Sequence, residues 1–135
     1  MVLVAVAIMA CTNMAWASKN EKKDASAEKT STTKMGTASW YGPGFHGKKT
    51  SSGDKFDMNG LTCASNHYKL GTWLKVTNMR TGKSVIVRVN DRMHPRMKRI
   101  VDLSKGAARE IGMVSKGVSK VKVEDLGRSL PASML

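Results

Sequence analysis

The chain has 135 residues, enough for one domain, and its 23 lysines and arginines against 10 acidic residues give a formal net charge of +13. Two cysteines and three histidines without ligand spacing argue against a disulfide scaffold and a metal centre, so no cofactor is expected. Hydrophobic residues are 41% of the chain but aromatic residues only 5%, so the core must be mostly aliphatic.

The amino terminus has the character of an export signal. Val2 to Ala10 is an uninterrupted apolar run of nine residues, the length of a signal-peptide core and too short to span a bilayer. A buried strand is the alternative, but the polar, lysine-rich sequence that follows offers nothing to pack against. No basic residue precedes Val2, although such a signal normally has one, so the true start of translation stays open.

Two processing sites compete within the predicted signal peptide, residues 1–17. Ala15-Trp16-Ala17 is a small-residue cleavage site, whereas Ile8-Met9-Ala10-Cys11 resembles a lipobox. In the second case, which we prefer, Cys11 becomes the lipid-carrying first residue, and this anchor is the only expected contact with a membrane. Export by either route argues against a nucleic-acid partner despite the positive charge.

The composition then separates a linker, a domain and a tail. Residues 18–35 are rich in Ser, Thr, Lys and Glu and are expected to form a flexible, disordered linker. Residues 36–127 have the mixed composition of a folded domain, with 17 basic and 7 acidic residues. Residues 128–135 are expected to be a short tail.

Strand signals dominate the domain. Trp73–Asn78 and Ser84–Asn90 alternate apolar and polar residues, and a turn with a glycine between them predicts a β-hairpin. Further candidate strands are Thr37–Tyr41, Gly60–Ala64 and Val118–Leu126. One helix is expected, with Ser104 as its N-cap and Gly112 near its end. This pattern predicts a mainly β fold, a small barrel with one short helix.

The domain also carries a series of ordered sequence blocks. They are Gly36–Gly42, Phe45–Thr50, Ser52–Asn59, Leu61-Thr62, Leu70–Thr72, Val76–Asn78, Gly82–Arg92, Val101–Ser104 and Ala107-Ala108. Together they resemble the rare lipoprotein A (RlpA-like) family over nearly the whole domain. The resemblance implies a six-stranded double-psi β-barrel, a fold shared with expansin-like and barwin-like domains.

The same resemblance implies a function and a location. Members are exported bacterial proteins, either periplasmic or anchored as outer-membrane lipoproteins, and some are septal-ring lytic transglycosylases. The expected substrate is therefore the glycan strand of peptidoglycan, and division-site envelope proteins are candidate partners.

The resemblance also implies catalytic residues. In lytic transglycosylation a hydroxyl of the substrate attacks and leaves a 1,6-anhydro end, so one carboxyl can act first as acid and then as base. Asp91, in the Asn-Asp-Arg block, is the candidate for that carboxyl; a turn cap or an ion pair with Arg92 is the alternative. Asp54, which stands where active relatives usually have Glu, is expected to assist.

Four further residues are expected to contact the glycan. Tyr41 is a candidate for stacking on a sugar face, although a core position is the alternative, and Arg92 lies directly after Asp91. Ser65 stands where active relatives often have His; it can hydrogen-bond a sugar but cannot titrate near neutral pH. His67, two residues later, would face the same side of a strand and replace that histidine.

Two functions of different class stay open. The favoured one is a lytic transglycosylase that cleaves peptidoglycan glycan strands. The alternative is a non-catalytic, expansin-like module whose groove holds the glycan without cleaving it, and the residues at Asp54 and Ser65 bear on this choice. A module that binds only a protein partner at the division site would need no chemistry.

Overall fold

Six strands close into a barrel in the computed structural model, which describes residues 32–130 and 132–134. The strands are β1 (Thr33–Tyr41), β2 (Thr62–Ala64), β3 (Trp73–Asn78), β4 (Ser84–Asp91), β5 (Val101–Ser104) and β6 (Val118–Gly127). Helix α1 (Lys105–Glu110) lies between β5 and β6, and short 3-10 turns lie at Pro43–Phe45 and Ala132–Met134. The predicted mainly β barrel of six strands with one short helix is confirmed.

The order of strands around the barrel is β1-β5-β2-β4-β3-β6, and β6 pairs back onto β1. The pairs β1/β5 and β2/β4 are parallel, and the other four pairs are antiparallel. Alternate residues of each strand point inward and form an aliphatic core. Its largest fully buried side chains include Leu74, Val76, Val87, Val89, Val101, Leu103, Val121 and Val123.

The predicted hairpin and helix are present. β3 has the predicted bounds, β4 extends one residue beyond its predicted end, and the two strands pair antiparallel. Ser104 caps α1, because its hydroxyl accepts a hydrogen bond from the Ala107 N–H at 3.2 Å. The short strand β5 was not among the predicted strands, because its four residues lead directly into the helix and are too few to show an alternation.

Strand β1 begins three residues before the predicted start of the domain. Thr33, Lys34 and Met35, placed in the linker by composition, belong to β1 and pair with residues 122–124 of β6. Their side chains are exposed, so backbone pairing rather than apolar composition fixes them. At the other end, the guanidinium of Arg128 donates to the Leu70 carbonyl at 3.0 Å, so the predicted tail begins with a residue tied to the barrel. The predicted signal peptide, with Cys11, lies outside the described residues, as does most of the predicted linker.

A bulge near the end of β4 changes the direction of its last side chain. Val85, Val87 and Val89 alternate into the core, and this pattern would place Asp91 inside the barrel. The register with β2 instead shifts by one residue, so that Cys63 pairs with Val89 but Ala64 pairs with Asp91. The extra residue, Asn90, therefore turns Asp91 to the outer face of the sheet.

Candidate active site

A pocket of about 250 Å³ lies on the outer wall of the barrel, where β1, β5, β2 and β4 run side by side. Pairing places Ser39, Asp102, Ala64 and Asp91 in one row across these four strands. Asp102 points outward because its neighbours in β5 are buried in the core. The residues that line the pocket are Tyr41, Phe45, Ala64, Asp91, Arg92, Met93, His94, Met97 and Asp102.

Asp91 is held by a loop from another part of the chain. Its Oδ1 accepts hydrogen bonds from the Ser51 N–H at 3.1 Å, the Ser51 hydroxyl at 2.8 Å and the Arg92 N–H at 2.9 Å. The same loop is fixed to β4 by a hydrogen bond from the Ser52 N–H to the Asn90 carbonyl at 3.0 Å. These contacts orient the carboxyl of Asp91 at the pocket.

Asp102 is the second carboxyl of the pocket, and it was not among the catalytic residues predicted from the sequence. Burial raises the pKa of Asp102, and this effect outweighs the opposing influence of the Ser39 hydroxyl and the Arg99 charge. The Ser39 hydroxyl donates to Oδ1 at 2.9 Å. The available signal was an acidic residue between Val101 and Leu103 in an apolar segment, but the segment was too short to be recognised as a strand.

Tyr41 and Phe45 form the aromatic part of the pocket. The ring of Tyr41 stacks on Phe56 with 4.5 Å between the ring centroids. Tyr41 also makes an edge-to-face contact with Phe45, with 5.6 Å between centroids and 77° between the ring planes. Burial, followed by the charge of Asp91, raises the pKa of the Tyr41 hydroxyl, which therefore stays neutral. Phe56 covers one face of Tyr41, whereas Phe45 is 53% exposed and is the ring more open to a ligand.

Arg92 lines the pocket but directs its guanidinium at the protein. Nη1 donates to the carbonyl of Ser65 at 2.6 Å and also to the carbonyl of Tyr68. Both acceptors lie in the loop between β2 and β3. The guanidinium of Arg92, which was expected to bind the glycan, thus ties the loop after β4 to the loop after β2.

Asp54 does not share the pocket with Asp91. Its side chain is 57% exposed, lies 3.4 Å from Nη1 of Arg88 and accepts a hydrogen bond from the Ser52 hydroxyl at 3.0 Å. It therefore belongs to the loop that holds Asp91, without lining the pocket itself.

Ser65 and His67 also lie outside the pocket lining. Ser65 is fully buried, its hydroxyl donates to the Ile100 carbonyl at 2.8 Å, and it accepts from the His67 N–H at 3.1 Å. His67 is exposed in a bend, because β2 ends at Ala64 and the strand alternation does not continue to it. The histidine that does line the pocket is His94.

The described part of the chain contains no group of three or more His, Cys, Asp and Glu side chains placed to hold a metal ion. Within the same residues, no helix is long and apolar enough to cross a membrane.

Comparison with known sequences gives matches over the barrel. The profile of a family described as "Lytic transglycolase" matches residues 33–123. A protein of Neisseria meningitidis serogroup A named "Endolytic peptidoglycan transglycosylase RlpA" is 48% identical over 103 residues, 75% of this chain and 43% of the relative. The protein of that name from Campylobacter jejuni is 52% identical over 95 residues, 70% of this chain and 34% of the relative. The chain thus spans less than half the length of these relatives.

Comparison with solved structures shows the fold alone. An apo expansin of Clavibacter michiganensis superposes with a TM-score of 0.59 at 24% identity, over 74% of this chain and 53% of the expansin. A mutant of that expansin in complex with cellohexaose gives the same TM-score at 21% identity, with the same coverage. A Streptomyces papain inhibitor gives 0.57 at 17% identity, over 70% of this chain and 94% of the inhibitor.

Proposed function

Since the chain belongs to the RlpA-like family of double-psi β-barrel lytic transglycosylases, we propose that it cleaves the glycan strands of peptidoglycan by lytic transglycosylation. The observation that supports the proposal is that two carboxyls, Asp91 and Asp102, line one pocket. They lie on β4 and β5, which are separated in the barrel by β2. Because the chain spans less than half of its relatives, the proposal concerns the activity of this barrel.

The two carboxyls suit different steps of the reaction. Asp102, whose pKa is raised by burial, holds a proton more readily and donates it to the glycosidic oxygen as the bond from that oxygen to the sugar C1 breaks. The 6-hydroxyl of the same sugar attacks C1, and its proton passes to Asp91. The product is a 1,6-anhydro sugar, and exchange with solvent returns both carboxyls to their starting states.

These roles differ from those that the sequence predicted for the two carboxyls. Asp91 keeps an acid–base role, but Asp102 takes the place expected for Asp54. The contacts of Asp54 support a positioning role instead, because it lies on the loop whose Ser51 holds Asp91. Phe45 is the proposed stacking ring, with Tyr41 behind it, and Arg92 fixes the loop beside the pocket.

The place of action follows from the proposed substrate. Peptidoglycan lies outside the cytoplasmic membrane, so the protein must be exported to act on it. We infer a periplasmic or lipid-anchored location, with Cys11 as the candidate anchor, and division-site envelope proteins as candidate partners. Labelling with a radioactive fatty acid, compared between the natural chain and Cys11→Ala, decides whether the anchor is present.

A test of catalysis uses intact peptidoglycan and peptidoglycan stripped of stem peptides by an amidase. Mass spectrometry of the soluble products should detect 1,6-anhydro ends. Asp91→Asn and Asp102→Asn should each lower the rate by about 100-fold or more, as expected when a proton-transfer group is lost.

Asp57→Asn is the matched control, since it makes the same chemical change on an exposed carboxyl outside the pocket. It should keep the rate within a few-fold of the natural protein. Absence of products together with pelleting of the protein with sacculi would favour the second candidate, a glycan-binding module like the expansins that share its fold.

A further inference from the structure

Three of the residues that line the pocket have aliphatic or thioether side chains. They are Ala64, Met93 and Met97, and we call these three side chains the methionine wall. Ala64 and Met93 are 3% and 9% exposed, so they are set into the protein surface, whereas Met97 is 37% exposed at the rim. None of the three takes part in the proton transfers proposed above. The proposed reaction therefore does not explain why they line the pocket.

The methionine wall is built into the fold by hydrogen bonds on both sides. The Met93 N–H donates to Oδ1 of Asn66 at 3.0 Å, and Nδ2 of the same Asn66 donates to the His94 carbonyl at 3.1 Å. The Met97 N–H donates to the His94 carbonyl at 2.9 Å, which closes a tight turn. The backbone at both methionines is therefore held in place, and both side chains line the pocket that Asp91 and Asp102 also line.

We propose that the methionine wall selects N-acetylated sugars by covering the methyl group of the 2-acetamido substituent. The inference rests on the proposed function, because it takes the same pocket as the sugar site. Both amino sugars of a peptidoglycan strand carry an acetamido group at C2, and its methyl is the largest apolar group that such a sugar presents. Thioether side chains adapt to the shape of such a group and offer it no competing polar partner.

The pocket volume fits this role. About 250 Å³ accommodates one sugar unit with its substituents rather than a longer segment, so one acetamido group would be recognised at the cleavage position. A glucan chain has only a hydroxyl at C2. Placed against the methionine wall, that hydroxyl would lose water without gaining a hydrogen bond.

The test compares two uncharged ligands that differ only at C2. Chitohexaose carries acetamido groups and cellohexaose carries hydroxyls, with the same β-1,4 backbone. Isothermal titration calorimetry on the natural protein should show chitohexaose binding at least about fourfold more tightly, the factor expected for burying one methyl group. Equal affinities, or binding of neither sugar, would overturn the proposal.

Variants test whether the methionines cause the preference for chitohexaose over cellohexaose. Met97→Gln keeps the length of the side chain, removes its apolar end and lies at the rim, where folding is least affected; it should bring the two affinities within about twofold. Met93→Gln tests the buried member and should act in the same direction. Met79→Gln is the matched control, because Met79 is 50% exposed and does not line the pocket. Persistence of the preference in Met97→Gln, or its loss in Met79→Gln, would refute the proposal.

Binding and turnover separate this inference from the proposed function. If the protein prefers chitohexaose but releases no anhydro products, the proposed transglycosylase activity is refuted, and the selectivity proposed for the methionine wall is retained. A protein that releases anhydro products but binds both sugars equally would support the transglycosylase and refute the role proposed for the methionine wall.

Discussion

Asp102 links the chemistry of the site to the stability of the barrel. Its folded pKa lies above the 3.8 of an unperturbed aspartate, so the folded protein binds its proton more tightly than the unfolded chain does. The free energy of unfolding therefore falls as pH rises from below 3.8 through the folded pKa. At neutral pH the burial of this group therefore costs stability.

Asp102→Asn keeps the shape and can still accept from Ser39, but it carries no charge. We expect its melting temperature to exceed that of the natural protein at pH 7, and the gap to close as the pH falls below 3.8. Thermal unfolding followed by circular dichroism across this range checks the expectation. A gap that does not change with pH would contradict it.

Tyr41 gives a second prediction about a single group. Its hydroxyl is buried and has no hydrogen-bond partner within the described residues, while its ring packs on Phe56. Tyr41→Phe keeps the ring contacts and removes the unsatisfied hydroxyl, so it should raise the free energy of unfolding by about 1 kcal/mol. Urea unfolding measures this change, and a loss of stability would show that the hydroxyl has a favourable partner.

Single residues show where the sequence was sufficient. Asp91 was selected because a recognisable block surrounds it, and the structure places it at the pocket. Asp102 was missed because the burial that raises its pKa, and its contact with Ser39 63 residues away, are properties of the tertiary structure. The burial of Ser65 likewise depends on a contact with Ile100, 35 residues away.

At the scale of elements, helix α1 is held close to a neighbouring loop. The Gly106 N–H donates to the Met58 carbonyl at 2.8 Å, and a Cβ at Gly106 would lie 2.5 Å from the carbonyl oxygen of Asn59. Glycine is the residue that permits this approach of two backbones. The helix is thereby fixed against the chain that leads into β2.

Gly106→Ala should therefore lower the free energy of unfolding by about 1–3 kcal/mol, as overpacking does. The same change inside an unrestricted helix would raise stability, so the sign is diagnostic. Gly44→Ala is the control, because a Cβ there meets no atom within 4 Å. Urea unfolding of both variants checks the contrast, and equal effects would argue against the close approach.

Elements also show why the site was harder to predict than the fold. The strands β3 and β4 were predictable because alternation is a local pattern. The bulge at Asn90 is a property of the pairing between β2 and β4, which lie far apart in the sequence. Alternation alone would have turned Asp91 into the core, so only the tertiary structure explains how it reaches the pocket.

The whole molecule carries far more positive than negative charge. Two ion pairs are present in the described part of the chain, Arg88 with Asp54 and Lys122 with Glu124, so most basic groups there are not neutralised by an ion pair. A surface of this kind attracts polymers that carry carboxylates or phosphates. Such attraction acts over the entire barrel rather than at the pocket.

We therefore expect the fraction of protein that pellets with sacculi to fall steeply between 0.05 M and 0.5 M NaCl, because the screening length of exposed charges falls from about 14 Å to about 4 Å over this range. Binding of uncharged chitohexaose should change little over the same range, which makes it the internal control. Pelleting that does not respond to salt would contradict a general electrostatic contribution.

The closure of the barrel by β1 and β6 has a consequence for joining it to other proteins. Thr33, the first residue of β1, pairs with Glu124 at about 5 Å, and β6 ends only three residues later at Gly127, so the chain enters and leaves the barrel near the same place. Tyr41, at the pocket, lies eight residues further along β1, about 26 Å of extended strand from that entrance. We therefore expect that the barrel can be inserted into a surface loop of a host protein, because the two ends of that loop would not have to move far apart to accommodate it.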